Sequence, residues 1–308
     1  MVKQLKQLKI IFYIIISITF VYMLTNLNTS ISSLSIVLTN FFKSLFPYLF
    51  TFLIINQILI KTNLIYLFGY IFQFITYPLF KINSKNSSLL LLSLLNGFPS
   101  SVLYSYIMVK ENKIDKYSTH KIAHYLFLPS FTFIFYLVHT SLSSLYFTIL
   151  IISLYLPPFI YLLINRNKSK DEFIEFKEIK KELVNSFNEF NYINDLKAIF
   201  SNSITTLINI LGMISFYSII TLIIPFPLIK GLFEFSIPTL SILNSNYSEL
   251  FKTLFTLIIL VFSSLSSISQ ASVYFDDLSI KISSFIKIRI ELLSLSLVIF
   301  TLCVYFYL

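Results

Sequence analysis

Residues 89–108 read LLLLSLLNGFPSSVLYSYIM, an apolar stretch that Gly97 and Pro99 interrupt. About 20 apolar residues form a helix long enough to cross a bilayer. Inside a helix, glycine costs roughly 1 kcal/mol relative to alanine and proline roughly 3 kcal/mol. At membrane depth the freed backbone groups are tolerated only where protein or a water-filled cavity satisfies them. We therefore expect a broken or re-entrant helix that lines a cavity; the alternative is a span that is merely kinked.

The composition of the chain places it in a membrane. Hydrophobic residues make up 56% of the 308 residues and charged residues only 12%, with a mean hydropathy of +0.82. Soluble domains carry about 25% charged residues. We predict an all-α fold, a polytopic transmembrane helical bundle of eight to nine spans with broken or re-entrant helices. The predicted spans are residues 10–24, 46–60, 64–80, 89–109, 122–140, 145–164, 199–224, 251–268 and 286–308.

The apolar runs divide the chain into four predicted regions. Residues 1–33 are interpreted as a first span and external turn, a retained signal anchor, because lysines precede the span and no small-residue cleavage site follows it. Residues 34–165 form a first membrane half with the break at 96–99, and residues 197–308 form a second half.

Residues 166–196 are predicted to be a charged cytoplasmic linker. Apolar residues recur there at three- and four-residue spacing, which is typical of an amphipathic helix at a surface. The linker either rests on the lipid headgroups or docks a partner. The apolar residues are Phe173, Phe176, Ile179, Leu183 and Phe187.

The basic residues predict the orientation. The chain has 23 Lys and Arg residues and a formal net charge of +9. A cytoplasmic amino terminus with strictly alternating spans places most of them inside. We therefore predict a multi-pass cell-membrane protein with its amino terminus and linker inside and its carboxy terminus outside. Nucleic acid is not an expected partner, because the lysines are spread along loops. On the outer side fall Lys81, Lys85, Lys230 and Lys252.

The two membrane halves have similar interruptions. Each opens with a segment dotted with Ser, Thr and Asn, followed by a break at Pro47 in the first half and at Gly212 in the second. A short irregular apolar element follows later, at residues 96–101 and 225–238. Corresponding interruptions in two halves predict a repeated fold with a transport site at the membrane midplane.

Several short motifs, in order, resemble those of one family. Their sequence is Leu45-Phe46-Pro47, Tyr77-Pro78-Leu79-Phe80, Gly97-Phe98-Pro99 and the charged residues 110–121, then Gly231-Leu232-Phe233-Glu234-Phe235 and residues 263–277 with Gln270 and Asp276-Asp277. This order is similar to that of the bacterial sporulation integral membrane protein YlbJ family, which is related to the nucleoside-recognition Gate-domain proteins. The resemblance covers roughly residues 36–300 and makes the first half Gate-like.

The resemblance implies a membrane protein of sporulating Firmicutes that moves dipicolinate across the outer forespore membrane. The chain departs from the family at three places. Ser101 replaces the second glycine of the first motif, and Tyr125 and Leu126 stand where the family has an Asn-Asn pair before Pro129. Serines also replace a glycine-rich stretch at residues 263–267. The missing amide pair removes groups that could meet a polar ligand.

The candidate substrate-binding residues lie at the interruptions. Glu234 has either a ligand or gating role or a local one, as an ion pair with Lys230 or a helix cap. Gln270 and its neighbouring serines either line a cavity or pack helices together. The full candidate set is Asn96, Gly97, Pro99, Ser100, Ser101, Pro129, Ser130, Glu234 and Gln270.

Enzymatic chemistry is not expected. The sequence has no phosphate-binding loop, zinc-binding helix motif or nucleophile elbow. We predict no cofactor and no metal, because His120, His124 and His139 lack Cys, Asp or Glu at ligand spacing and Cys303 is the single cysteine.

Three functions remain open. The first is a carrier or channel for a small anion such as dipicolinate. The second is a non-transporting scaffold of the spore envelope, and the third is a nucleoside or other Gate-type permease. The expected partners are the lipid bilayer, a small anionic substrate and other spore-membrane proteins. On the first function, Gly97→Leu or Pro99→Ala is predicted to leave expression and insertion intact while spore dipicolinate falls.

Overall fold

The computed structural model describes residues 2–166 and 171–307, and within these ranges every regular element is helical. The all-α prediction is therefore confirmed. Residues 167–170, in the predicted linker, lie outside the described residues. The helices are α1 (Val2–Thr25), α2 (Leu27–Asn40), α3 (Phe46–Lys61), α4 (Ile65–Phe80), α5 (Ser84–Asn96), α6 (Ser100–Lys110), α7 (Lys116–Tyr125), α8 (Phe131–Phe133), α9 (Ser144–Ile164), α10 (Phe176–Glu189), α11 (Tyr192–Thr221), α12 (Pro227–Phe233), α13 (Ser236–Leu243), α14 (Glu249–Phe262), α15 (Leu265–Ser272) and α16 (Ile282–Tyr307).

Four helical stretches of the described chain are long and apolar enough to cross a membrane. They are α9, α11, the α14–α15 stretch Glu249–Ser272, and α16. Two sharply bent pairs raise the number to six if each is one span: α1 with α2, bent by 105°, and α3 with α4, bent by 84°. The predicted number of eight to nine spans stays a prediction. The helices around the quoted stretch are short, with 13 residues in α5 and 11 in α6.

The second half is not interrupted at Gly212, so that prediction is wrong. Helix α11 continues through this position for 30 residues. Space is open around Gly212, since an added Cβ would meet nothing within 4 Å. One glycine costs a helix only about 1 kcal/mol, and the long apolar helix around it tolerates that cost. The repeat of the two halves stays a prediction.

Helices α4 and α5 cross at very close range. A Cβ added to Gly69 would lie 2.1 Å from the carbonyl oxygen of Ser84, so only glycine fits at the crossing. The side chain of Thr76 hydrogen-bonds that of Ser87, both buried, next to the crossing. Short polar side chains let the two backbones approach, as they do between helices in membranes. This crossing fixes where α5 enters the bundle.

Residues 171–189 of the predicted linker, which end with α10 and which we call the charged segment, lie along α4. The buried side chain of Gln73 donates to the carbonyl of Ile174 at 3.0 Å and accepts from its N–H at 3.1 Å. Further along, Ser186 Oγ donates to the carbonyl of Thr62 at 2.7 Å. The segment therefore docks on the protein itself, along the turn before α4 and the first half of that helix. The interpretation of a linker that only rests on headgroups is incomplete.

This docking corrects one side assignment. Lys85 pairs with the carboxylate of Glu182 at 2.7 Å, and the backbone carbonyl of Glu182 accepts from Asn63 Nδ2 at 3.2 Å. Lys85 therefore lies on the same side as the charged segment and Asn63, at the start of α4. Strict alternation, which puts Lys85 opposite Lys61, fails because α4 runs beside the charged segment.

Candidate functional site

The predicted break at residues 96–99 is a true interruption rather than a kink. Helix α5 ends at Asn96, and Gly97 takes a left-handed φ of +69°. The N–H of Phe98 donates to the carbonyl of Leu128 at 2.7 Å. A Cβ at Gly97 would lie 2.2 Å from the backbone nitrogen of Ser130. The break is therefore packed against a second break, between α7 and α8.

The second break contains two of the candidate residues. Pro129 has no N–H, which ends the helix before it, and its carbonyl accepts from Tyr155 Oη at 3.1 Å. Ser130 opens the next helical turn, since its side chain accepts from the N–H of Phe133 at 3.1 Å. Pro129 and Ser130 thus form a buried junction that faces Gly97.

A third break lies between α14 and α15. Ser263 and Ser264 both take positive φ values, +72° and +53°, which is uncommon for residues other than glycine. Ser263 Oγ donates to the carbonyl of Phe127 at 3.1 Å, and Ser264 caps α15 by accepting from the N–H of Ser267 at 3.4 Å. The serines themselves do not indicate left-handed backbone, and the available signal is that the resembled family has a glycine-rich stretch at residues 263–267, since glycine favours positive φ.

Arg289 is the functional candidate that sequence reasoning missed. It falls within the predicted span 286–308 but is not among the nine candidate residues, and in the structure it lies inside α16 with 0% exposure. Its Nη1 donates to the carbonyl of Phe127 at 2.6 Å, and its Nη2 hydrogen-bonds the carbonyl of His124. The guanidinium also lies over the rings of Phe127 and Phe285, at 5.8 and 5.4 Å. The available signal was an arginine eight residues into an apolar helix.

Glu234 acts as a helix cap in the structure. It is buried, with 1% exposure, and its carboxylate accepts from the N–H of Ser236 at 2.9 Å and of Ile237 at 3.2 Å. Among the described residues it forms no ion pair with Lys230. Of the two predicted local roles, ion pair and helix cap, the structure therefore has the helix cap. The ring of its neighbour Phe235 packs on Phe98 at 4.7 Å, which brings this loop to the break at 96–99.

The remaining candidates are buried around the same breaks. Asn96 Nδ2 donates to the carbonyl of Leu92 at 2.9 Å, and Gln270 Nε2 donates to Ser266 Oγ at 3.3 Å. Ser101 Oγ and Asn96 Oδ1 have no hydrogen-bond partner among the described residues. The structure thus brings Gly97 together with Ser130, and places Glu234 close by through Phe235. Pro99 and Ser100 sit at the start of α6.

A polar cavity of about 950 Å³ lies apart from these breaks, so none of the nine candidates lines it. Its walls are the charged segment, α3, α6, α11 and the turn after α15. The sequence predicted a cavity at the break itself, but the backbone of Ser130 occupies the space beside Gly97. The lining residues are Gln57, Lys61, Asn63, Tyr66, Lys85, Leu103, Tyr106, Ile107, Lys110, Glu111, Asn112, Lys113, Glu182, Ser186, Glu189, Phe190, Asp195, Ala198, Ile199, Asn202, Thr205, Thr206, Asn209, Val273 and Tyr274.

One wall of the cavity is a polar stripe on the candidate span α11. Asn202, Thr205, Thr206 and Asn209 recur at three- and four-residue spacing, and all four line the cavity. This spacing puts them on one face of a helix. These residues belong to the segment dotted with Ser, Thr and Asn that opens the second half, and in the structure this face of the segment lines a cavity.

Ion pairs surround the mouth of the cavity. Lys61 pairs with Glu111 at 3.7 Å and Asp195 at 3.8 Å, and Lys113 pairs with Glu111 at 3.2 Å. Lys113 Nζ also donates to Asn63 Oδ1 at 2.7 Å. Burial lowers the pKa of Lys113 from its ordinary value, and the nearby Glu111 carboxylate partly opposes that shift. The network ties together the ends of α3 and α6 and the start of α11.

Among the described residues, no group of three or more His, Cys, Asp or Glu side chains could hold a metal ion. The histidines serve local hydrogen bonds instead. His124 Nδ1 bonds the carbonyl of His120 at 2.7 Å, and His120 Nε2 bonds the carbonyl of Leu278 at 2.6 Å.

The described residues form helices only, with four to six candidate membrane-crossing elements beside a polar cavity, which is consistent with a membrane protein. No family model, curated protein or solved structure matches the chain. The similarity to the YlbJ family therefore stays a prediction.

Proposed function

We propose that this protein is a transporter or channel component that moves a small polar solute across a membrane. The observation that carries the proposal is the stripe from Asn202 to Asn209, on a helix apolar enough to cross a bilayer, facing a cavity of about 950 Å³. Polar residues inside such a helix are expensive unless they face water or a ligand. A cavity of this volume accommodates a small molecule.

An anion is the proposed solute. Four lysines line the cavity, and three of them already pair with carboxylates. The fourth, Lys110, forms no ion pair within the described residues and lies 5.4 Å from the ring of Tyr106. Four carboxylates, those of Glu111, Glu182, Glu189 and Asp195, also line the cavity, so its formal charge is balanced and the choice of an anion rests on the family resemblance. The resemblance noted above makes dipicolinate, in a forespore membrane, the specific proposal.

The scaffold function is the second candidate. Its support is the packing of the breaks, since Gly97 leaves no room for even one added carbon beside Ser130. A broken helix filled in this way is compatible with a purely structural role. The two candidates differ in whether the protein transports a solute at all.

The experiment is uptake of labelled dipicolinate into vesicles that contain the purified chain. Asn202→Leu and Asn209→Leu keep the number and branching of side-chain heavy atoms and remove the amides, so uptake is expected to fall to the level of empty vesicles. Ser201→Leu is the matched control, because Ser201 is exposed on the same helix but does not line the cavity. Parent uptake no higher than that of empty vesicles would favour the scaffold, and equal uptake by the parent and all three variants above that level would show that the polar stripe is not part of the transport path. Uridine uptake in place of dipicolinate uptake would favour a nucleoside permease.

A further inference from the structure

Helix α10 presents three distinct faces. One face docks on the bundle, with Ile179 fully buried and Ser186 bonded to the carbonyl of Thr62. A second carries the exposed polar residues Glu178 and Asn185. The third face is apolar and basic, and its side chains are exposed, although the ring of Phe176 contacts Tyr70 at one edge. We call it the outer stripe, and it consists of Phe176, Val184 and Phe187 with Lys177, Lys180 and Lys181.

The outer stripe is exposed despite its apolar content. Val184 and Phe187 are 53% and 57% exposed. Exposed apolar side chains in one row indicate a binding surface rather than a solvated face. Within residues 2–166 and 171–307, Lys177, Lys180 and Lys181 form no ion pair. The surface therefore offers apolar area and three free positive charges together.

This stripe continues an apolar surface on α4. The ring of Phe176 contacts that of Tyr70 at 5.5 Å, and Phe173 contacts Phe74 at 5.8 Å. From Phe74 the surface extends over the outer face of α4, where Ile71 and Ile75 are 65% and 59% exposed. In a chain with several candidate membrane spans, such a face lies against lipid. Continuity with it places the outer stripe at the edge of the same lipid surface.

We propose that the outer stripe of α10 binds anionic lipid headgroups, and that this contact holds the charged segment over the polar cavity. An apolar row flanked by lysines is the pattern of helices that lie in the membrane interface, and lysines there favour anionic lipids. On its other side the same helix lines the cavity with Glu182, Ser186 and Glu189. The lipid contact thus acts on the cover of the cavity, whatever the solute is.

The chain contains no tryptophan, so one introduced indole reports its own surroundings. Phe187→Trp places the reporter on the outer stripe, and Asn185→Trp places it on the polar face two residues away. Each full-length variant is reconstituted in vesicles of phosphatidylcholine alone or mixed with phosphatidylglycerol. Fluorescence is then measured with and without brominated phosphatidylcholine, which quenches indoles at the bilayer.

The expected result is strong quenching for Phe187→Trp in anionic vesicles and little for Asn185→Trp. Replacing Lys177, Lys180 and Lys181 by glutamine should lower the quenching of Phe187→Trp in anionic vesicles and leave it unchanged in neutral ones. Val184→Trp repeats the test on the same stripe, in case the change at Phe187 disturbs folding.

Three outcomes overturn the proposal. Equal quenching at Phe187 and Asn185 in anionic vesicles would show that the stripe does not face lipid. Quenching that depends on neither lipid charge nor the three lysines would show that the stripe does not bind anionic lipid specifically. A blue-shifted but unquenched indole at Phe187 and Val184 would show that protein, such as a second copy of the chain, covers the stripe.

Discussion

Arg289 on α16 donates a hydrogen bond of 2.6 Å to the main-chain carbonyl of Phe127, at the interrupted end of α7. Ser263 Oγ, at the break between α14 and α15, donates to the same carbonyl at 3.1 Å. One carbonyl oxygen that lost its helical partner thus joins three elements distant in sequence. The end of α7 is satisfied by side chains from the second half of the chain.

This arrangement predicts a large effect of Arg289→Met. Removing the guanidinium takes a donor from the carbonyl of His124 and leaves that of Phe127 with Ser263 Oγ alone, and a buried group that loses its partner costs about 1–3 kcal/mol. Thermal unfolding in detergent should show a clearly lower midpoint. Arg289→Lys should recover only part of the loss, because an ammonium lacks the planar fork of donors. Lys287→Met is the control, since that side chain is 77% exposed. A parent-like midpoint for Arg289→Met would refute the bridge.

Gly97→Ala is expected to destabilise the protein, because its Cβ would meet the backbone of Ser130 at 2.2 Å and φ is +69°. Overpacking of this kind costs about 1–3 kcal/mol. Because leucine is larger still, we expect Gly97→Leu to destabilise the protein as well, which replaces the expectation that this variant leaves expression and insertion intact. Gly212→Ala serves as the control and should stabilise by up to about 1 kcal/mol, because nothing lies within 4 Å of that position. Unfolding midpoints of the two alanine variants in opposite order would contradict the packing.

Glu234→Ala is predicted to cost about 1 kcal/mol, the usual loss of a helix N-cap. The carboxylate accepts from the N–H groups of Ser236 and Ile237, and alanine removes both bonds. Lys230→Gln should leave stability unchanged, because Glu234 is not paired with that lysine. Comparison of denaturant midpoints distinguishes the two roles. A larger effect at Lys230 than at Glu234 would restore the ion-pair interpretation.

Gln73→Leu should release the charged segment from α4. The variant loses both hydrogen bonds to Ile174 and the bond that Gln73 Oε1 accepts from the N–H of Ser84 at 2.8 Å. Cleavage by a glutamate-specific protease at Glu172 and Glu175 is then expected to accelerate severalfold. Gln57→Leu is the matched variant, since Gln57 bonds Ser203 on α11 instead. Equal cleavage rates in both variants would show that Gln73 does not secure the segment.

The sequence predicted the helical class and several apolar spans because hydropathy and periodicity act locally. The long helices α9, α11 and α16 coincide with three predicted spans. The break at Gly97 was also predictable, since glycine and proline disfavour a helix whatever their surroundings. The break between α14 and α15 was not predictable in this way, because Ser263 and Ser264 take left-handed backbone without being glycine.

The location of the polar cavity was not predictable from local patterns. Its walls meet only after α3, α6 and α11 pack together, and Gln57 must reach Ser203 across 146 residues of sequence. The prediction that Lys85 lies on the outer side was wrong for a related reason. Alternation assumes that every apolar run crosses the membrane, whereas α4 is bent by 84° from α3 and is accompanied along its length by the charged segment.

The docking of the charged segment on α4 has a consequence for biogenesis. Its partners are far apart in the chain: Gln73 and Ile174 are separated by 101 residues, and Thr62 and Ser186 by 124. When α4 leaves the ribosome, its amide partner has not yet been synthesised, so the side chain of Gln73 must remain in contact with water or headgroups. We therefore expect α4 to stay at the membrane surface while α5 to α9 are synthesised and inserted. It reaches its final position only when residues 171–189 have been synthesised and dock on it.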